Sequence, residues 1–164
     1  MGASDEGLDA PGVNLRGDAV GGVEVGHRLI AAGEYELAIK AFNRAALADG
    51  FDAEILSGLG SANLGLGRLG QAEALLRRAT TEYDPHPEDL NNLGVVLLNQ
   101  GRDSEAVQIL RRAFALDDGE STLIRDNLRL ALANFENSDS LDINEAEYKL
   151  VRRGSSDFLI STAG

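Results

Sequence analysis

Residues 90–113 read LNNLGVVLLNQGRDSEAVQILRRA, and their pattern decides the fold. Leu90, Leu93, Gly94, Leu97 and Leu98 recur at three- and four-residue intervals, the apolar stripe of one helix. Ala106, Val107, Ile109, Leu110, Ala113 and Phe114 form a second such stripe. Gly101 stands between them, where a residue without Cβ can take the left-handed conformation that ends a helix. The stretch is therefore a helix, a glycine stop and a second helix.

Reading outward, the same pattern recurs every 34 residues. Gly26, Gly60 and Gly94 share the step, as do Gly33, Gly67 and Gly101. Ala38, Ala72 and Ala106 follow it, and so do Ala45, Ala79 and Ala113. Larger apolar residues keep the same register: Val25, Leu59 and Leu93, then Phe42, Leu76 and Leu110. A fixed period of this length marks a stack of supersecondary units. The periodicity predicts helix pairs at Ala19–Ala31 with Tyr35–Ala48, Ala53–Gly65 with Leu69–Thr81, and Pro87–Asn99 with Asp103–Ala115. Pro87 suits a first helical turn, which needs no N–H donor there.

These residues resemble the tetratricopeptide-repeat (TPR) family, whose helix–turn–helix unit carries small residues where two helices cross. Here the small residues are the glycines at 26, 60 and 94 and the two alanine series. The resemblance implies an all-α solenoid with units at 19–52, 53–86, 87–120 and 121–153. Residues 1–18 read as a flexible acidic leader, and 154–164 as a tail expected to stay disordered. The fourth unit is irregular. Asn127-Leu128 matches Asn92-Leu93 with one extra residue, helices are expected at Ser121–Phe135 and Asn144–Arg153, and Asn134–Asn144 reads as a long turn. Gly21 and Gly22 stand where good helix formers are expected, so the first helix should fray.

The 164 residues hold 27 acidic and 15 basic side chains, a net charge of −12 at pH 7. That balance excludes a nucleic-acid binder, which needs a basic surface to displace counterions. It equally opposes adsorption to an anionic membrane. No cysteine is present, so neither disulfides nor thiolate chemistry enter. The longest uncharged run, Ile55 to Gly67, is too short and too polar to span a membrane. The first eighteen residues carry Asp5, Glu6, Asp9 and Asp18 and no apolar stretch, unlike a secretory leader.

Several motifs read as structure, not chemistry. Gly65–Gly70 spells GxGxxG, but it links two helices in repeat register, whereas a dinucleotide site needs it between a strand and a helix. His27 and His86 are the only histidines, too few for a zinc site. Asp117-Asp118-Gly119-Glu120 lacks the alternating ligands of a calcium loop. Arg77-Arg78, Arg111-Arg112 and Arg152-Arg153 read as solvated helix faces. No Ser, His and acid set converges, so neither catalysis, metal nor cofactor is expected.

The resemblance also implies a concave groove lined by the first helices, and hence a protein or peptide partner. Its ligand-facing positions would be Val23, His27 and Ile30, then Ser57, Ser61 and Leu64. Next come Asn91, Asn92, Val95, Leu98 and Asn99, followed by Asn127, Leu130 and Asn134. Amides both donate and accept, which suits a peptide backbone, and asparagine is a mediocre helix former to accumulate without reason. The family's clamp for acidic chaperone tails needs Lys and Arg where Val23, Glu88 and Asn92 stand, so that ligand is not expected. The acidic leader and the Arg bias look like bacterial TPR assembly proteins, among them the TPR lipoprotein of the tight-adherence pilus. That resemblance would imply a periplasmic, outer-membrane-anchored factor with its lipidated cysteine upstream of Met1. The alternative is a cytosolic scaffold or regulator, self-associating or not.

Overall fold

A computed structural model describes residues 21–139. They form helices α1 (Gly22–Ala31), α2 (Tyr35–Asp49), α3 (Ala53–Gly65), α4 (Leu69–Glu82), α5 (Pro87–Asn99) and α6 (Asp103–Leu116). A further helix, α7, covers residues 122–139. The architecture is an all-α solenoid of helix–turn–helix units, as the 34-residue period predicts. The expected second helix at Asn144–Arg153, the leader 1–18 and the tail 154–164 lie outside the described residues.

Each hairpin turn is the same device. Gly33, Gly67 and Gly101 have φ of +76°, +71° and +71°. Each glycine N–H donates three residues back, and the next residue donates five back, as in Glu34 N–H to the Leu29 carbonyl at 2.8 Å. This pair of bonds satisfies carbonyls that the helix end would leave orphaned. Between units, Asp52 caps α3 by accepting the Ile55 N–H at 2.8 Å, and Pro87 opens α5.

The other glycine series sets helix spacing. A Cβ on Gly60 would lie 2.6 Å from Leu76, and one on Gly94 2.5 Å from Leu110. In unit one Phe42 fills the same role more tightly. Its ring is held between Gly26 of its own unit and Gly58 of the next, and it is wholly buried. Ala38, Ala72 and Ala106 are buried at the same crossings. The backbones of α1, α3 and α5 approach one another in sequence, whereas those of α2, α4 and α6 do not. The first helices therefore lie on the inner side of the curve.

Units two and three are also clasped by charge. Glu73 on α4 accepts from Gln100 at 2.9 Å, from Arg102 at 2.7 Å and from Arg77 Nε at 2.8 Å. Arg77 reaches across to Glu105 on α6 at 2.5 Å, and Arg102 closes the ring onto Glu105. Arg77 is thus an inter-repeat strut, not the solvated side chain its exposed-face spacing suggests. Arg78 pairs with Glu82 at 2.9 Å and lies over the Phe51 ring at 5.6 Å. Arg111 and Arg112 stand exposed without such partners among the described residues.

The fourth unit departs from expectation in two ways. Ile124 and Ala131, 3% and 0% exposed, stand 34 residues after the buried Leu90 and Leu97, so no extra residue shifts the register. The helix also runs through residue 139, where a turn from Asn134 was expected. Both glycine series end here: position 128 is Leu and position 135 is Phe. Without the stop glycine the helix continues. Asn134 and Ser138 then reach Asp103 at the start of α6, at 3.4 and 3.5 Å.

Candidate peptide-binding groove

The inner face is built from α1, α3, α5 and α7, and a polar seam crosses it from helix to helix. His27 Nε2 lies 3.1 Å from Glu54 Oε1, and its ring packs edge-on against Phe42 at 5.2 Å. Ser57 donates to Asp89. Asn92 Nδ2 donates to Ser61 Oγ at 3.0 Å, and Asn127 Nδ2 to Asn91 Oδ1 at 2.9 Å. Each bond joins one first helix to the next. The seam exists because side chains one repeat apart face each other where these helices converge.

This seam revises the expectation for the asparagines. Asn91 is only 4% exposed and its carbonyl is taken by Asn127, so it belongs to the stacking interface, not to an open surface. Asn92 keeps partial exposure, and its bond to Ser61 leaves its own carbonyl oxygen available. Asn99 is exposed and turns its amide back to the Val95 carbonyl at 2.8 Å. Asn134 turns toward Asp103 at 3.4 Å. The accumulated amides are explained in large part by repeat stacking.

The aliphatic positions are half-buried. Leu64 and Leu98 pack against the core of units two and three, and Val23 and Ile30 against that of unit one. Val95 is half-buried, and Leu130 on α7 is 53% exposed. They offer one flank of a surface, with side chains already anchored below.

One opening on the inner face was not foreseen. A cavity of about 360 Å³ lies where α1, α3 and the start of α5 meet, lined by His27, Glu54, Ser57, His86, Glu88 and Asp89. Asp89 is 4% exposed, and burial pushes its carboxyl up from the ordinary range, against the Ser57 hydroxyl and His86 that pull it back. Glu54 and Glu88 stand 34 residues apart and so occupy the same place in successive units. That spacing was the available signal. In sequence, acids in a first helical turn read simply as favourable to the helix dipole. Among the described residues no group of three or more His, Asp or Glu is arranged to hold a metal ion.

Two family models described as "Tetratricopeptide repeat" match the sequence, at residues 25–87 and 90–116, together more than half of the chain. The chain belongs to the tetratricopeptide-repeat family. Its fold is similar to the Sgt2 TPR domain from Aspergillus fumigatus, with a TM-score of 0.68, 18% identity, and 73% of this chain and 80% of that chain covered. It is similar to the second TPR domain of human RPAP3 in complex with the HSP70 peptide SGPTIEEVD (TM-score 0.61, 22% identity, 69% and 93% covered). It is also similar to the type III secretion chaperone SycD of Yersinia enterocolitica in complex with a peptide of the translocator YopD (TM-score 0.61, 21% identity, 68% and 90% covered). At these identities the likeness concerns the fold. A comparison with curated protein sequences found no significant match. No described helix is long and apolar enough to cross a membrane.

Proposed function

We propose that this TPR protein is a non-catalytic scaffold that binds a peptide segment or short helix along α1, α3, α5 and α7. The observation that carries the reading is the open cavity on the inner face, formed by helices that also carry partly exposed polar and aliphatic side chains. Similar folds have been solved with peptides bound, which supports the same use here. The acidic peptide of the RPAP3 complex is a poor guide to the ligand. Glu88 and Val23 stand where basic side chains would be needed to hold an acidic tail.

The test is selection of displayed peptides on the whole chain, followed by titration of the enriched sequences. Asn92→Ala with Val95→Asp should weaken binding by roughly tenfold, because one change removes a hydrogen-bonding group and the other sets a charge beside the apolar flank. Val95 is preferred to Leu98 as the altered site because Leu98 packs on the core. Arg111→Ala with Arg112→Ala, outside the groove, should bind normally. Binding that survives the first pair and fails with the second would place the ligand on the second helices instead.

A role in pilus assembly is the narrower proposal, and it rests on the acidic, Arg-biased composition. A cytosolic scaffold is better supported by the breadth of similar folds, which include a secretion chaperone and a chaperone-peptide complex. A lipobox cysteine encoded upstream of Met1 would favour the pilus role; its absence there, the cytosolic one.

A further inference from the structure

We propose that the end of the array formed by α1 and α2 docks a second copy of this chain, in a two-fold dimer held by reciprocal Arg44–Asp49 ion pairs. The inference does not depend on the peptide reading, and of the residues it uses only Val23 belongs to the groove. It starts from a side chain that unit one lacks. The positions one and two repeats after Gly22 are Leu56 and Leu90, both wholly buried. In unit one a cavity of about 390 Å³ opens beside the glycine, lined by Gly22, Val23, Val25, Ala41, Ala45 and Ala48. Arg44 and Asp49 line it too, and both are exposed. A terminal repeat ordinarily turns a polar face outward. This one turns out Ala48 and Leu37, the latter 46% exposed.

Charge complementarity identifies the occupant. Leu37, Ala41, Ala45 and Ala48 recur at four-, four- and three-residue intervals, one stripe of α2. Arg44 flanks that stripe on one side and Asp49 on the other. Neither has a partner among the described residues. The next repeat shows why. Arg78, the counterpart of Arg44, pairs with Glu82 at 2.9 Å, and the counterpart of Glu82 in unit one is Ala48. Opposite charges five residues apart across an apolar stripe are placed to pair parallel helices: they stand as a g position and the e position of the following heptad. A two-fold axis running along the stripe sets Arg44 of each copy against Asp49 of the other. Such an interface is isologous, so a single face supplies both halves. A second copy therefore carries the matching base and acid at the required offset.

The contact is modest. One pair of 15-residue helices over an alanine floor belongs at the low end of specific interfaces, so the dimer is weak and reversible. The net charge of −12 on each copy opposes association. At 0.15 M salt the Debye length is about 8 Å, so charges distant from the interface are screened while the close pairs still act.

The experiment is sedimentation velocity on the full chain, from about 10 to about 500 μM in about 150 mM NaCl. The parent should shift from monomer to dimer across that range. Arg44→Asp alone and Asp49→Arg alone should each weaken dimerisation by about tenfold or more, because like charges then meet at both pairs. Both residues are exposed, so both variants should fold, which circular dichroism checks. An equimolar mixture of the two variants should regain association to within about threefold of the parent, since both pairs are complementary again. The chain carrying both changes should do the same. A chain that stays monomeric at every concentration overturns the proposal, whether residues 1–20 or another protein covers this face. A dimer that neither single change weakens uses a different surface and overturns it as well. Loss in the single variants with no recovery in the mixture would mean that the charges act within one chain, and the proposal falls. The groove variant Asn92→Ala with Val95→Asp should dimerise as the parent does; failure there would place the interface in the groove instead.

Discussion

At the scale of single residues, the spacing of this solenoid is governed by atoms that are missing. Gly60 lies against Leu76 so closely that even a methyl group would overlap it. Gly70 sits in the same unit, on α4, with open space where its Cβ would be. The two glycines therefore predict opposite outcomes. Gly60→Leu should destabilise by roughly 1–3 kcal/mol or more through overpacking. Gly70→Ala should stabilise by roughly 0.5–1 kcal/mol, because it removes backbone freedom from a helical position without adding a contact. Urea denaturation of the two variants checks both signs. Loss of stability in Gly70→Ala would mean that the helix start is not where it is placed. The glycine series was legible in sequence because each partner lies a fixed sixteen residues on, within the same unit. The roles of Asn91 and Asp89 were not. Their partners, Asn127 and Ser57, come from neighbouring units, and no single-unit pattern pairs them.

At the scale of elements, charge joins what apolar packing alone would leave to small contacts. Glu73 is 17% exposed, and the Gln100 amide, with Arg77 and Arg102, holds its carboxyl down to about 2 against the opposing effect of burial. A carboxyl with a depressed folded-state pKa contributes stability only while ionised. Its contribution is complete above about pH 5 and lost as the pH falls toward 2. After screening of the partly exposed arginines, the contribution is about 2 kcal/mol. Glu73→Gln should therefore be less stable than the parent at pH 7, and the gap should close between pH 5 and pH 2. Thermal melts across that range read it directly, and a gap that stays constant would remove Glu73 from the clasp. The arginines divide in the same way. Arg77→Ala should lower stability by roughly 1–2 kcal/mol because it leaves Glu73 and Glu105 short of a partner. Arg111→Ala, the same repeat position on an unclasped face, should change it by less than about 0.5 kcal/mol. Sequence could show that Arg77 and Arg111 are equivalent, but not that Glu105 follows one and no described counterpart pairs with the other.

At the scale of the whole molecule, a linear array distributes its stability through nearest-neighbour interfaces. Units two and three share the most. Their common core contains Ala72, Leu76, Leu93, Val96, Leu97 and Leu110, and the Glu73 clasp ties its outer side. Unit one is joined differently. Phe42 reaches into unit two between Gly26 and Gly58, yet α1 itself begins at Gly22 with no side-chain cap and contributes only Gly26 to the fully buried set. The other end is asymmetric again. α7 buries Ile124 and Ala131 but leaves Leu123 and Leu130 more than half exposed. Local opening should follow this gradient. Amide exchange should be slowest in α4, α5 and the middle of α3, intermediate in α2 and α6, and fastest in α1. Hydrogen exchange resolved by segment measures the order. The informative comparison is α1 against α2, because both belong to one repeat and the family pattern treats them as a unit. If the hairpin opens as one body, their rates will match. If the Phe42 anchor holds α2 to unit two while α1 lifts away, α1 will exchange faster by at least tenfold. The second outcome is the one expected, since the ring that locks this end belongs to α2. It would make the α1 wall of the groove, with His27, the part able to open for a ligand.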